Sequence, residues 1–261
     1  MNMDSPIWIS YFPLVSTILG LVLGSFYNVC IHRYLGRISI VRPGSHCPKC
    51  GHALSWWENI PLLSYVFLRG ACRKCRQTIS LRYPLVEATS GLWALLLALK
   101  FGPGWEWLVY LAFGGVLIII SFIDLDSFIL PDIYTIPGAL CAFLCAGLLL
   151  PLGWQASLIG ALAGGGGFWL IQKGYKLLKG IQGLGSGDIK LMFLLGALLG
   201  WQALPIMIFL SAISGLAVSV FYLLQKDSQG LQTAVPFGPF LSLGGMIYIL
   251  CGREIWSWYL G

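Results

Sequence analysis

The sequence predicts an all-α polytopic membrane protein, and three observations carry the prediction. Of its 261 residues, 57% are hydrophobic and 10% are charged, against about 25% charged in an average soluble domain. Mean hydropathy is +0.81, more apolar surface than one soluble core can hide. The apolar residues gather in several runs near the ~20 residues that a helix needs to cross a bilayer. The positive charge is also unevenly placed. Nine of the sixteen Lys and Arg residues lie between Arg33 and Arg82, and Lys173, Lys176, Lys179 and Lys190 surround a glycine-rich stretch. Positive charge in short loops beside apolar runs is the positive-inside pattern. The expected partner is therefore the lipid bilayer, with no nucleic acid.

About eight transmembrane helices follow in order. The first, about 7–29, belongs to a segment 1–32. Residues 1–10 carry only Asp4 as a charge, so no positively charged leader precedes this run and it is expected to be retained. Residues 33–84 are polar and basic and form the one stretch suited to a small soluble domain. The remaining chain, 85–261, carries runs at about 85–99, 105–123, 133–150, 154–171, 189–199, 203–224 and 237–250. Turn residues separate them, among them Gly102-Pro103-Gly104 and Pro151-Leu152-Gly153. An outside N-terminus puts fourteen of the sixteen positive residues inside and leaves Lys100 and Arg253 outside. That orientation places 33–84 in the cytoplasm.

In this small domain Cys47 and Cys50 form one C-x-x-C pair and Cys72 and Cys75 another, with 21 residues between them. Two such turns supply four thiolates, which suits a closed tetrahedral zinc site. A bound metal would fold a loop too small for its own core. A redox dithiol and ligation by His46 are the alternatives. Cys30, Cys141, Cys145 and Cys251 read as small apolar residues.

Carboxylates at the ends of membrane spans are costly and usually functional. Asp124 and Asp126 end the third run, Asp132 opens the fourth, and Asp188 opens the sixth. On the outside-N-terminus topology Asp124 and Asp188 share the cytoplasmic face. Asp132 follows Pro131 and suits a helix start. Asp126 reads as solvated, and Glu87 divides evenly between a structural and a functional role. Asp188 follows three glycines, Gly183, Gly185 and Gly187, which allow an unusual backbone path or a close approach. Lys190 supplies a charge that could bias its ionisation. Two neighbouring carboxylates suit an aspartic protease, in which they share a proton, and equally a proton-coupled transporter.

Longer motifs decide between these. Gly24 to Arg33, the two cysteine pairs, Glu58-Asn59-Ile60-Pro61, Tyr83 to Glu87, Asp124 to Asp132, Gly185-Ser186-Gly187-Asp188 and Pro236-Phe237-Gly238-Pro239 together resemble the type IV prepilin peptidase family. The Gly185 to Asp188 motif is that of the wider G-x-G-D intramembrane aspartyl proteases. The likeness covers nearly the whole chain, and His32 is a small departure from its N-terminal signature. It implies that Asp124, not Asp126, pairs with Asp188 as the catalytic dyad. It implies cleavage of a basic leader from type IV prepilins or type II secretion pseudopilins at the inner-membrane face of a bacterium, within 85–261. It further implies N-methylation of the new N-terminus with S-adenosylmethionine by the tetracysteine region 33–84. No glycine-rich donor site of the soluble kind is present. Asn28, Arg33, Glu58, Asn59 and Gly70 are the candidates for holding that cofactor. A peptidase without methylation is the nearest alternative.

Overall fold

A computed structural model describes residues 6–42, 44–181, 183–224 and 235–260. Asp4, and Lys226 between the last two apolar runs, lie outside these residues. The chain forms two compact units, 1–119 and 120–261. Among the described residues the regular structure is helical, apart from two isolated β-bridges in the cysteine region.

The first unit is built on α1 (Pro6–Gly36) and α3 (Arg82–Phe101), which pack along each other. Small residues let them close. A Cβ on Gly20 would meet the Ser90 carbonyl oxygen at 2.6 Å, and one on Gly24 would meet Glu87 Cα at 2.7 Å. In lipid there is no hydrophobic drive between helices, so close backbone packing of this kind supplies the association. Between the two helices lie a 3₁₀ turn (Trp56–Asn59), the short α2 (Leu63–Phe67) and the cysteine knuckles. Then α4 (Trp105–Ser127) carries the chain into the second unit.

The second unit continues with α5 (Asp132–Leu148), α6 (Trp154–Ala161), α7 (Gly167–Lys179), α8 (Ser186–Leu199), α9 (Ala203–Leu224) and α10 (Gly238–Leu260). At its centre is α8. Leu191, Met192, Leu194, Leu195 and Leu198 are fully buried, against α5, α6 and α10. With 14 residues it is about 21 Å long, short of the ~30 Å hydrocarbon core. Its neighbours shield it. By contrast α9 leaves Phe209, Ile213, Leu216 and Phe221 exposed, the surface a lipid-facing helix presents.

Each apolar run of the sequence forms a helix. Four segments, Ile9–Gly36, Arg82–Phe101, Trp105–Ser127 and Ala203–Phe221, are long and apolar enough to cross a membrane by length and composition, and Asp132–Leu148 is a shorter apolar helix. The fifth run is not one plain helix. Leu162–Gly166 forms a π turn between α6 and α7, at the glycine run that reads from sequence as a packing face. Gly164 and Gly165 do pack there, the first under Leu204 and the Met192 carbonyl, the second under the Phe193 ring. One turn earlier, Gly160 lies backbone to backbone against Gly196 and Gly200 of the α8 end. Ser157 Oγ donates to the Ala197 carbonyl at 2.6 Å.

The Gly160–Gly196 crossing has no room for a side chain, because what a Cβ would meet is rigid backbone. Gly196→Leu is expected to destabilise the protein by about 1–3 kcal/mol or to prevent folding. Thermal unfolding in detergent would read this as a lowered Tm.

Candidate active site and metal cluster

Asp124 lies in the last turn of α4 and is 4% exposed. A carboxylate removed from water needs donors, and it finds one at the start of another helix. Its Oδ2 accepts the Gly238 N–H, the first of α10, at 3.2 Å. The leading N–H groups of a helix have no partner within it and carry its positive dipole end. Glycine is required at 238 because a Cβ there would stand 2.6 Å from Asp124 Oδ2 and 2.9 Å from Leu130 Cδ2.

Asp188 sits in the first turn of α8, with Gly185 as N-cap. Its carboxyl reaches back to accept the Gly185 N–H, the arrangement an acidic residue at this helix position makes in a capping box. The carboxyl of Asp188 feels the charge of Asp124. Leu130 packs on both sides of the pair: it touches Gly238 beside Asp124, and a Cβ on Gly187 would meet Leu130 Cβ at 2.7 Å. The three glycines before Asp188 thus serve close approach. Gly183 lies under the Tyr175 ring, Gly185 beside the Asp188 carboxyl and Gly187 against Leu130. Gly185 itself has φ −67°.

The other acids separate from this pair. Lys190 Nζ bonds Asp132 Oδ1, a half-exposed ion pair, and Asp132 stands in the first turn of α5 behind Pro131. The reading that Lys190 biases Asp188 gives way here for a helical reason: residues two apart do not share a helix face. Asp126 is exposed. Glu87 is buried, and its Oε2 accepts the Leu62 N–H at 2.8 Å.

In the first unit the Sγ atoms of Cys47, Cys50, Cys72 and Cys75 all lie within 4.8 Å of one another. Cys47–Cys75 and Cys50–Cys72 are 3.8 and 3.9 Å apart. Metal–thiolate bonds of about 2.3 Å in a tetrahedron give edges of about 3.8 Å, so the cluster fits one ion. The two knuckles repeat one design. Gly51 N–H bonds the Cys47 carbonyl and Arg76 N–H bonds the Cys72 carbonyl, each at 2.9 Å. Each knuckle closes with a bridge, His46 to Ala53 and Ala71 to Thr78. The turn needs a positive φ after its second cysteine. Gly51 takes +68° without strain, and Arg76 takes +58°. Backbone N–H groups of Cys50 and Lys49 hold the Cys47 thiol down to about 6, so a thiolate ligand is available at neutral pH. His46 Nδ1 instead bonds the Gly44 carbonyl at 2.8 Å.

The five candidate methyl-donor residues surround this cluster in sequence and have varied surroundings. Arg33 is buried and donates through Nη1 to the Ser39 and Ile40 carbonyls at 2.6 and 2.7 Å. Glu58 is buried and accepts the Ser55 N–H at 2.8 Å, with His52 Nε2 at 3.2 Å. These contacts, the Ser55 N–H first, hold the Glu58 carboxyl below the usual carboxylate range. Asn59 is exposed. Gly70 has φ +64° and lies under Tyr65, whose Oη a Cβ would meet at 2.8 Å. Asn28 donates to the Tyr83 carbonyl at 3.0 Å. Sequence reasoning passed over Leu130 and Gly238 as individual contributors, since neither carries a chemical group that announces a site.

The chain is thus an all-helical protein with four membrane-capable helices and a four-cysteine cluster, and it carries one aspartate at the end of α4 and another at the start of α8, each facing the N–H of a helix start. The comparisons name its kin. Residues 18–101 match the Bacterial Peptidase A24 N-terminal domain, and residues 110–220 match the Type IV leader peptidase family. Proteins named prepilin leader peptidase/N-methyltransferase are similar along nearly their full length. The one from Pseudomonas putida is 39% identical over 95% of this chain and 93% of its own. The one from Aeromonas salmonicida (strain A449) is 40% identical over 96% and 94%. That from Pseudomonas aeruginosa is 36% identical over 95% and 93%. No solved structure matches the chain. The chain belongs to the type IV leader peptidase family.

Gly70→Ala is expected to cost about 1 kcal/mol or more, because the backbone is left-handed there and Tyr65 blocks the added methyl group. Since Gly70 is two residues before Cys72, the variant should surrender bound metal at lower chelator concentration than the wild type, as read by a colorimetric metal-release titration.

Proposed function

We propose that this protein cleaves the leader peptide from type IV prepilins or pseudopilins and then N-methylates the new N-terminal residue. Family membership along the full chain supports both activities. The peptidase site is supported by the placing of the Asp124 carboxyl at the start of α10 and of Asp188 at the start of α8, each held by a backbone N–H, with the Asp124 charge acting on Asp188. An aspartic dyad works with one carboxyl ionised and one protonated. The ionised member takes a proton from water as its oxygen attacks the scissile carbonyl, and the protonated member gives its proton to the carbonyl oxygen. The leaving amine is then protonated as the peptide bond breaks. The two N–H donors favour charge where it resides, so the pair does not depend on a side-chain cation.

The membrane topology we propose has about eight spans, with the N-terminus on the periplasmic side of a bacterial inner membrane. The positive charge of 33–84 and of Lys173 to Lys190 supports it. A prepilin presents its leader from the cytoplasm, which is where this topology puts both aspartates. The ion that best suits Cys47, Cys50, Cys72 and Cys75 is zinc in a structural role. It would hold together residues 33–84, where Cys47 and Cys72 are the buried apolar side chains among the described residues. S-adenosylmethionine supplies the methyl group. Asn28, Arg33, Glu58, Asn59 and Gly70 are the residues proposed to surround it, with Arg33, Glu58 and Gly70 acting through the loops they brace.

Purified protein incubated with a prepilin, with and without S-adenosylmethionine, and followed by intact mass, tests both activities at once. Asp124→Asn and Asp188→Asn should each reduce cleavage by about 10²–10⁴-fold or more while retaining the wild-type melting temperature. Normal cleavage by either variant would sink the dyad. A cleaved product that gains no methyl group would leave a peptidase alone. Cys47→Ser should lose stoichiometric metal, measured by atomic emission; an unchanged metal content and affinity would exclude the four-cysteine site.

A further inference from the structure

The seam between α1 and α3 holds a polar pair that the peptidase chemistry does not use. Where Gly24 meets Glu87 Cα, the two helices touch. One turn along α1 from Gly24 comes Asn28, which is 3% exposed. Its Nδ2 donates to the Tyr83 carbonyl at 3.0 Å. A carbonyl can only accept, so this bond fixes which way the amide faces. Asn28 Oδ1 then points elsewhere and is buried without a hydrogen-bond partner. Buried acceptors in folded proteins are almost always matched by a donor.

One turn along α3 from Tyr83 comes Glu87, which is 9% exposed. Its carboxyl accepts the Leu62 N–H and the Ser25 hydroxyl. Both donors are neutral, and a carboxylate offers about four lone-pair positions. The Leu62 contact is itself unusual. Leu62 has φ 60° and ψ −48°, and the Leu63 N–H bonds the Pro61 carbonyl at 2.6 Å. This is a γ-turn with positive φ, a rare and strained form. The membrane helix therefore receives the metal domain's chain at this point through Glu87. Charged and titratable groups at this end of the seam include His32 and Arg33 on α1, Arg82 and Tyr83 on α3 and His46 in the metal domain, and Arg82, His46 and Arg33 each act electrostatically on His32.

An unmatched acceptor one turn from a carboxylate with only neutral donors fits a ligand with several N–H groups and a positive charge. We infer that Asn28 and Glu87 form the receptor for the free α-ammonium group at the newly exposed end of the cleaved pilin, and that Glu87 removes its proton. This rests on the methyltransferase reading above. The ammonium gives one proton to the Glu87 carboxylate and becomes a neutral amine. The amine nitrogen then uses its lone pair to form a bond to the methyl carbon of a sulfonium donor, as the carbon–sulfur bond breaks and its electrons stay on sulfur. The methylated ammonium leaves with one further proton to lose to water, and Glu87 returns its own proton to solvent. Asn28 is a positioning residue that accepts from the same nitrogen.

Glu87→Gln is the informative variant, because its amide oxygen still accepts the Leu62 N–H and its amide NH2 can donate to the Ser25 hydroxyl, while the negative charge is lost. Full-length, metal-loaded protein in detergent is titrated calorimetrically with the cleaved pilin peptide and with the same peptide N-acetylated. The wild type should prefer the free amine by roughly 10-fold or more, the worth of a charge-assisted hydrogen bond. Glu87→Gln and Asn28→Ala should lose that preference. Methyl transfer by Glu87→Gln should fall at pH 7 and recover as the pH passes the amine's own pKa of about 7.7–8.0, a recovery that a bracing role would not produce. Equal wild-type binding of the two peptides overturns the proposal. So does Glu87→Gln methylating with the wild-type rate and pH profile. Loss of methylation at every pH together with loss of metal or of leader cleavage makes Glu87 a brace for the Leu62 turn, and also overturns it. A wild type that prefers the free amine and transfers no methyl group upholds the receptor and removes the methyltransferase reading instead.

Discussion

The bond from the Gly238 N–H to Asp124 makes a buried carboxylate tolerable at the end of an apolar helix. Burying such a group without a donor would cost several kcal/mol or force it to neutralise. A helix start supplies both an unpaired N–H and the favourable end of a dipole, with no cation that would quench the carboxylate's chemistry. Asp188 is held by the same device at the start of its own helix. Much of the second unit follows from bringing these two helix starts together. α8 is central and almost wholly apolar, so its N-terminal turn is positioned by packing on several sides. Gly187 and Gly238 leave Leu130 room to lie against both.

The two units use the same backbone logic for different ends. The knuckles of the first unit aim N–H groups at sulfur, and the helix starts of the second aim them at carboxylates. In both places the sequence spends glycine on proximity more than on unusual dihedral angles. Gly51 and Gly70 are the clear exceptions, with φ of +68° and +64°. The metal domain is tied to the membrane helices of its own unit by Glu87, which receives the N–H of a strained turn.

How much of this was legible in the sequence varies with the physics. The all-helical class followed from composition and run length, because lipid leaves the backbone few alternatives. The cysteine cluster followed from spacing, since a C-x-x-C turn is local. Asp188 stood out through its glycines, and of the two uses they allow it is close approach that the fold makes of them: they admit Tyr175, a carboxyl and Leu130. Asp124 could be told from Asp126 only through the family likeness. Both lie near the end of one helix, and which faces inward depends on contacts from residues over a hundred positions away. The role of Lys190 was missed for the same reason, since its partner Asp132 comes from another helix. Run length does not count spans by itself, because helices sheltered by protein, such as α8, need not match the bilayer thickness.

The π turn at Leu162–Gly166 has a bearing on how this region tolerates change in length. A π turn is an α-helix carrying one surplus residue, and an α-helix advances about 100° per residue. Removal of one glycine from the run 164–167 would let the backbone relax into an ordinary helix. The wider turn already absorbs the surplus residue, so Phe168, the residue of α7 that is buried, would keep its facing, as would Lys173, Lys176 and Lys179. One residue removed from the plain α-helical part of α6 or α7, where no wide turn takes up the change, would instead spin everything after it by about 100°. The π turn thus acts as slack between two halves of one rod. Substitution among these glycines and deletion of one of them are different kinds of mutation, the first a question of space and the second of whether that slack is kept.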